Sequence, residues 1–103
     1  KVAEYHRNRW PTIRRNIYNI FEDGLKQAVM QFPNGYGVSV LSGNGSLSDN
    51  NHPYEIAVIM FDRCGTFAVV YPYFCNDDVL SFKTEEDVSF YMQLIQRLHP
   101  EGY

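Results

Sequence analysis

Cysteine and histidine are scarce in this sequence, which has two cysteines, Cys64 and Cys75, and three histidines among 103 residues. So few cysteines do not support a fold that disulfides hold together. The histidines are His6, His52 and His99, and no pair of them has the spacing of a zinc-binding motif. No apolar run approaches the roughly 20 residues that a membrane-spanning helix needs. We therefore expect no structural metal, no cofactor and no membrane partner.

Aromatic side chains are abundant by contrast, with eight tyrosines, seven phenylalanines and one tryptophan. Hydrophobic residues make up 45% of the chain, so it can bury a core and is not disordered as a whole. The length fits one domain. We predict a basic polar arm at residues 1–10, followed by a single α+β domain at residues 11–103.

Charge is distributed unevenly along the chain. Residues 1–26 carry six basic and three acidic side chains, whereas the rest carries three basic and nine acidic ones. The formal net charge is −3. The basic segment can contact an anionic partner or pair with its own acidic body, and the second reading is favoured because runs of charge are usually solvated.

The start of the domain has the pattern of an amphipathic helix. Pro11 suits a first helical turn, and Gly24 suits a helix C-cap. Between them the apolar residues recur at helical spacing: Ile13, Ile17, Ile20 and Phe21. This pattern predicts a first helix at about residues 11–22.

Two hairpins are predicted next. In residues 25–42, apolar and polar side chains alternate on both sides of the turn signal Pro33-Asn34-Gly35. A helix continuing through Phe32 is the alternative, which Gly24 disfavours. Residues 54–71 form a second hairpin around a turn that ends at Gly65.

The remaining segments complete the predicted fold. Residues 43–51 are polar and read as a surface loop, and residues 72–83 read as irregular. Thr84 and Asp87 are spaced as a capping box, which predicts a last helix at residues 85–98. The expected fold is an α+β domain with a four-stranded antiparallel meander sheet and two helices, in the order α-β-β-β-β-α.

The densest aromatic stretch supplies the candidate binding residues. Tyr71, Tyr73 and Phe74 flank Pro72 at a strand end, and the acidic pair Asp77-Asp78 follows. Exposed tyrosines would provide contact area, and the acids would steer a partner of opposite charge. The acids also disfavour a thiolate at Cys75, so catalysis by cysteine is not expected. Whether Cys64 and Cys75 pair stays open.

The order of several motifs is similar to a group of small tailed-bacteriophage proteins. These motifs run from Phe32-Pro33-Asn34-Gly35-Tyr36-Gly37-Val38-Ser39-Val40 through Tyr54-Glu55-Ile56-Ala57-Val58 and Asn76-Asp77-Asp78-Val79 to Glu85-Glu86-Asp87-Val88. The resemblance covers about residues 28–98. It implies a small accessory protein without an assigned activity. The basic N-terminal segment, Cys75 and Phe82 depart from the pattern of the group.

These observations favour a non-enzymatic phage-type accessory protein in the host cytoplasm, which binds and inhibits a host protein. Tyr71, Tyr73, Phe74, Asp77 and Asp78 would form the contact, and a basic, nucleic-acid-binding surface would suit their charge. A homodimer also stays open.

Two alternatives remain. In the first, the arm binds nucleic acid through the basic and aromatic side chains of Arg7, Arg9, Trp10, Arg14 and Arg15. In the second, Asp77, Asp78 and His52 serve a small metal-dependent hydrolase or nucleotide-processing enzyme.

Overall fold

The computed structural model describes residues 15–99, which form an antiparallel sheet with a helix on one side. Within this part of the chain the sheet has six strands. They are β1 (Arg15–Ile20), β2 (Leu25–Gln31), β3 (Tyr36–Gly43), β4 (Tyr54–Phe61), β5 (Phe67–Val69) and β6 (Leu80–Lys83), followed by α1 (Glu85–Gln96). The predicted α+β class holds, but the prediction of a four-stranded meander with two helices is wrong. The predicted arm at residues 1–10 lies outside the described residues.

The predicted first helix is a strand where the structure describes it. β1 pairs antiparallel with β2, and Tyr18 of β1 lies opposite Ala28 and packs against the core. Ile17 and Ile20 are 45% and 67% exposed, so these residues at helical spacing are not part of a buried stripe. Gly24 does adopt a positive φ, +93°, but it lies in the β1–β2 turn and is not a helix cap.

Both predicted hairpins are confirmed. β2 pairs antiparallel with β3, and β4 pairs antiparallel with β5. The Pro33-Asn34-Gly35 turn closes the first hairpin, with the Gly35 N–H donating to the Phe32 carbonyl at 3.1 Å. Asp62 holds the second turn, because its carboxylate accepts from the backbone N–H groups of Cys64 and Thr66. Short-range turn chemistry therefore sets both hairpins.

The sixth strand was not predicted. β6 pairs with the start of β4, and β5 pairs with the end of β4 on the same side, so the two short strands share one edge of the sheet. The pairing of β6 is irregular between Tyr54 and Ile56. Phe82 has a φ of 58°, and its N–H donates to the Leu47 carbonyl at 2.9 Å. This bond connects β6 to the loop of residues 44–53.

The last helix is confirmed, ending slightly earlier than predicted. Thr84 and Asp87 form the expected capping box. α1 packs its buried face, which includes Val88, Met92 and Ile95, against the core side of β3 and β4. No helix among residues 15–99 has the length and apolar character needed to cross a membrane.

The end of α1 is tied to the first hairpin through one side chain. The Nδ2 group of Asn34 donates to the carbonyls of Ile95 and Leu98, at 2.8 and 3.0 Å. Its Oδ1 atom accepts from the backbone N–H of Tyr36 at 3.1 Å. One asparagine therefore satisfies two carbonyls at the end of the helix and also fixes the β2–β3 turn.

Candidate functional site

The candidate binding residues lie on a loop that interrupts one edge of the sheet. We call residues 71–79 the edge loop. β5 ends just before it and β6 begins just after it, and both strands pair with β4. Their β4 partners, Ile59 for Val69 and Ile56 for Leu80, lie three residues apart, which is roughly 10 Å along a strand. The loop therefore leaves and rejoins the sheet at nearly the same place.

Buried side chains within the edge loop hold it against the core. Pro72 and Cys75 are buried, and the Cys75 N–H donates to the Pro72 carbonyl at 2.8 Å. Phe74 is half-buried and packs against the core. Tyr71 and Tyr73 are by contrast 58% and 71% exposed. The apolar anchors thus hold a loop that presents its tyrosines to solvent.

The edge loop and α1 together form a run of aromatic rings. The ring centroids of Tyr73 and Phe74 are 5.2 Å apart, those of Phe74 and Tyr91 6.0 Å, and those of Tyr91 and Phe90 5.4 Å. We call these four residues the aromatic strip. Phe90 is 56% exposed although it lies on a helix that packs on the core. Phe90 was not among the candidate binding residues named from the sequence, and Tyr91 beside it is half-buried against the core.

Charged groups lie beside the aromatic strip. Asp77 and Asp78 are exposed on the edge loop. The Tyr71 hydroxyl donates a hydrogen bond to the Asp78 carboxylate, and this bond raises the pKa of Tyr71 above its ordinary value. The ammonium of Lys83 lies 5.8 Å from the centroid of the Tyr91 ring, within the range of a cation–π contact. The strip therefore already accommodates one cation of this chain.

The two cysteines are free and differ in environment. Cys64 is exposed in the β4–β5 turn, whereas Cys75 is buried in the edge loop. Burial raises the pKa of the Cys75 thiol, because the desolvated thiolate is disfavoured. The environment of Cys75 is thus that of a packing residue and not that of a nucleophile.

We predict that Cys64 reacts quickly with a thiol reagent in the native protein and that Cys75 does not. The physical reason is the burial of Cys75, whose reaction requires the edge loop to open. Counting labelled thiols by mass spectrometry, with Cys64→Ser as the control, tests this. Rapid labelling of both cysteines in the folded protein would contradict the described packing.

Of the residues named for nucleic-acid binding, the structure describes Arg15. Its guanidinium carbon lies 5.9 Å from the centroid of the Phe61 ring, and its terminal nitrogens lie against Gly65 in the β4–β5 turn. Arg15 thus packs on this chain's own aromatic side chain. The other four, Arg7, Arg9, Trp10 and Arg14, lie outside the described residues.

The residues named for the enzyme alternative have separate partners. The Nδ1 atom of His52 lies 3.1 Å from the Asp49 carboxylate, whereas Asp78 accepts from Tyr71. A cavity of about 360 Å³ lies beside Asp49, lined also by Ser42, Asn44 and Ser48. Across residues 15–99, no three histidine, cysteine or acidic side chains are grouped so that they could hold a metal ion.

No protein-family model, no characterised protein sequence and no solved structure matches the chain.

Proposed function

We propose that the chain is a protein-binding module whose contact surface is the aromatic strip together with the acidic side chains of the edge loop. The observation that carries the proposal is the exposure of Tyr73 and Phe90 at the two ends of a continuous run of rings. Single exposed apolar side chains are ordinary on a protein surface, but a contiguous exposed patch marks an interaction site. Large, rigid side chains of this kind dominate the energetics of protein interfaces.

The chemistry of the surface favours a basic partner. Asp77 and Asp78 place negative charge beside the rings, and the whole chain has a formal net charge of −3. Opposite charge on a partner speeds association, and its arginine or lysine groups can lie on the aromatic faces. Lys83 shows this type of contact within the chain itself.

The nature of the partner in a cell is a further part of the proposal. The resemblance to small tailed-phage accessory proteins, a group without an assigned activity, is compatible with a host protein as the partner, and inhibition of that protein is the outcome we propose for the contact. A nucleic-acid-binding protein of the host is the class whose surface charge fits best, because such surfaces are rich in arginine and lysine.

We predict that replacing both Tyr73 and Asp77 by alanine weakens partner capture at least about tenfold, since each change removes exposed contact area or steering charge. Partner capture is measured by immobilising the protein, recovering bound host proteins and quantifying them by mass spectrometry. The matched control replaces Phe21 and Glu22, an exposed aromatic–acid pair in the β1–β2 turn, by alanine. A third protein lacks residues 1–9.

The proposal requires that the control pair and the deletion capture the partner as well as the unmodified chain. Capture should also decline with rising salt, because exposed charges are screened. If the deletion abolishes capture and the Tyr73/Asp77 variant does not, the N-terminal arm is the binding element. Binding of DNA or RNA by the unmodified protein would then favour the nucleic-acid alternative.

A further inference from the structure

The outer edge of β5 has unpaired backbone groups. The N–H of Asp62 donates to the carbonyl of Thr66, and the N–H of Val70 donates to the carbonyl of Val58, at 2.8 and 2.9 Å. Alternate residues of an antiparallel strand point their backbone groups to opposite sides. The N–H and C=O groups of Phe67, Val69 and Tyr71 therefore point away from β4, and within residues 15–99 no strand pairs with them.

Among residues 15–99 this edge lacks the features by which proteins usually protect an edge strand. Such features are lysine or proline in the strand, inward-pointing charge, or a covering segment. β5 has the sequence Phe-Ala-Val, and all of its side chains are exposed. The protecting residue nearest to it is Pro72, which comes after the last outward-facing residue, Tyr71. An apolar, unprotected edge of this kind is a template for another strand.

The edge loop leaves this template accessible. Phe74 contacts Tyr91 of α1, so the loop folds towards the helix side of the sheet. Phe67 and Val69 instead alternate with Ala68 and Val70, and Val70 packs on the helix-side core. The side chains of Phe67 and Val69 thus lie on the other face. The loop touches that face through the hydrogen bond between Tyr71 and Asp78, but Phe67 and Val69 stay 44% and 41% exposed.

We propose that the outer edge of β5 pairs antiparallel with the same edge of a second copy of this chain, about a two-fold axis at Val69. This register places Val69 opposite Val69 of the second copy and Phe67 opposite its Tyr71. All three outward-facing residues then exchange backbone hydrogen bonds with their counterparts. Cross-strand pairs of aromatic residues on either side of a β-branched pair stabilise antiparallel strands.

Charge also fits a second copy. The two-fold brings the β4–β5 turn of one molecule to the end of the strand where the edge loop of the other begins. That turn carries Arg63 and Asp62, but the Asp62 carboxylate accepts hydrogen bonds within the turn and the Arg15 guanidinium lies against Gly65. The turn therefore has an excess of positive charge, whereas the edge loop carries Asp77 and Asp78. Opposite charges thus meet twice, once on each side of the axis, which is the self-complementary arrangement that a two-fold interface requires. The product is one continuous sheet through two molecules.

The first test is a cysteine cross-link at the axis. In a hydrogen-bonded antiparallel pair the Cα atoms are about 5.5 Å apart, a separation that a disulfide spans. Val69→Cys in a Cys64→Ser background should therefore form a covalent dimer under mild oxidation. The control is Phe21→Cys in the same background, at a side chain with similar exposure, 45% against 41% for Val69. Equal cross-linking of the two variants would show random collision and overturn the proposal.

The second test measures association directly, by sedimentation of the unmodified protein over a range of concentrations. Val69→Lys, which places like charges across the axis, should raise the dimer dissociation constant at least tenfold while leaving the thermal unfolding temperature of the dilute, monomeric protein unchanged. Ile20→Lys on β1 is the control and should not change the dimer. The proposal is overturned if the unmodified protein stays monomeric at millimolar concentration. It is also overturned if Val69→Lys leaves the dimer dissociation constant unchanged.

Hydrogen exchange distinguishes pairing of the β5 edge with a second copy of the chain from pairing with another segment of the same chain. The amides of Phe67 and Val69 should exchange rapidly in dilute protein and become protected as the concentration rises. Protection that persists in dilute protein that sediments as a monomer would show that the edge is covered by another segment of the same chain, and the dimer proposal would then be wrong.

Discussion

Replacing Gly37 by alanine is expected to lower the free energy of unfolding by about 4 kcal/mol, because a Cβ atom has no space at this position. A Cβ placed on Gly37 would lie 2.2 Å from the backbone oxygen of Met30 and 2.9 Å from the Phe61 ring. Backbone oxygen cannot withdraw without separating β2 from β3. Urea denaturation followed by circular dichroism measures the loss.

Gly45→Ala is the matched control for this substitution. Gly45 has a φ of +89°, and a Cβ there would meet nothing within 4 Å. Its cost is the backbone strain alone, about 1 kcal/mol. If Gly37→Ala proves no more destabilising than Gly45→Ala, the close approach of β2, β3 and Phe61 is not as described.

Changing Asn34 to aspartate is expected to cost about 3 kcal/mol, through loss of hydrogen bonds and a new repulsion. The Nδ2 group donates to the carbonyls of Ile95 and Leu98. A carboxylate oxygen in its place would face both carbonyls at the negative end of the helix dipole. The Oδ1 contact with the Tyr36 N–H would survive, so the change acts mainly on the helix.

Two further variants separate the loss of the Asn34 hydrogen bonds from the repulsion that the introduced carboxylate adds. Asn34→Ala removes the donors without adding charge, so it should cost less, about 2 kcal/mol. Asn44→Asp changes the other Asn-Gly turn, where the side chain donates to the carbonyl of Asp23 at an exposed site, and should cost least. Stability of the Asn34→Asp variant should rise as the pH falls and the introduced carboxylate becomes protonated. A loss equal to that of Asn34→Ala at neutral pH would contradict the proposed repulsion.

The parts of the fold that could be predicted from the sequence depend on neighbours along the chain. Pro33-Asn34-Gly35 fixes one turn, Asp62 fixes another, and Thr84 begins the helix, so both hairpins and α1 were foreseen. β1 was mistaken for a helix because Ile17 and Ile20 fit a helical period, while pairing with β2 decided their conformation. Tertiary pairing overrides a local pattern in this way when the apolar positions are not the buried ones.

The candidate site was only partly accessible to sequence reasoning. The exposure of Tyr71 and Tyr73 follows from the alternation around Pro72, a local signal. The contribution of Phe90 and Tyr91 depends on how α1 packs, because adjacent helix positions face different directions. β6 is equally non-local: its four residues acquire strand structure by pairing with β4. A short segment of this kind leaves little periodicity for a pattern to detect.

The edge loop leaves and rejoins the sheet over a short distance, which makes it an Ω-loop in its geometry. Its length is therefore nearly independent of the sheet, since doubling a flexible loop costs only about 0.6 kcal/mol in closure entropy. The sheet would therefore tolerate insertions among residues 76–79 while Pro72 and Cys75 keep the loop attached, whereas loss of Asp77 or Asp78 would remove the charge of the proposed contact surface. Natural variants of this chain should accordingly differ in the length of this loop. The same property makes the loop a suitable site at which to graft a foreign recognition peptide.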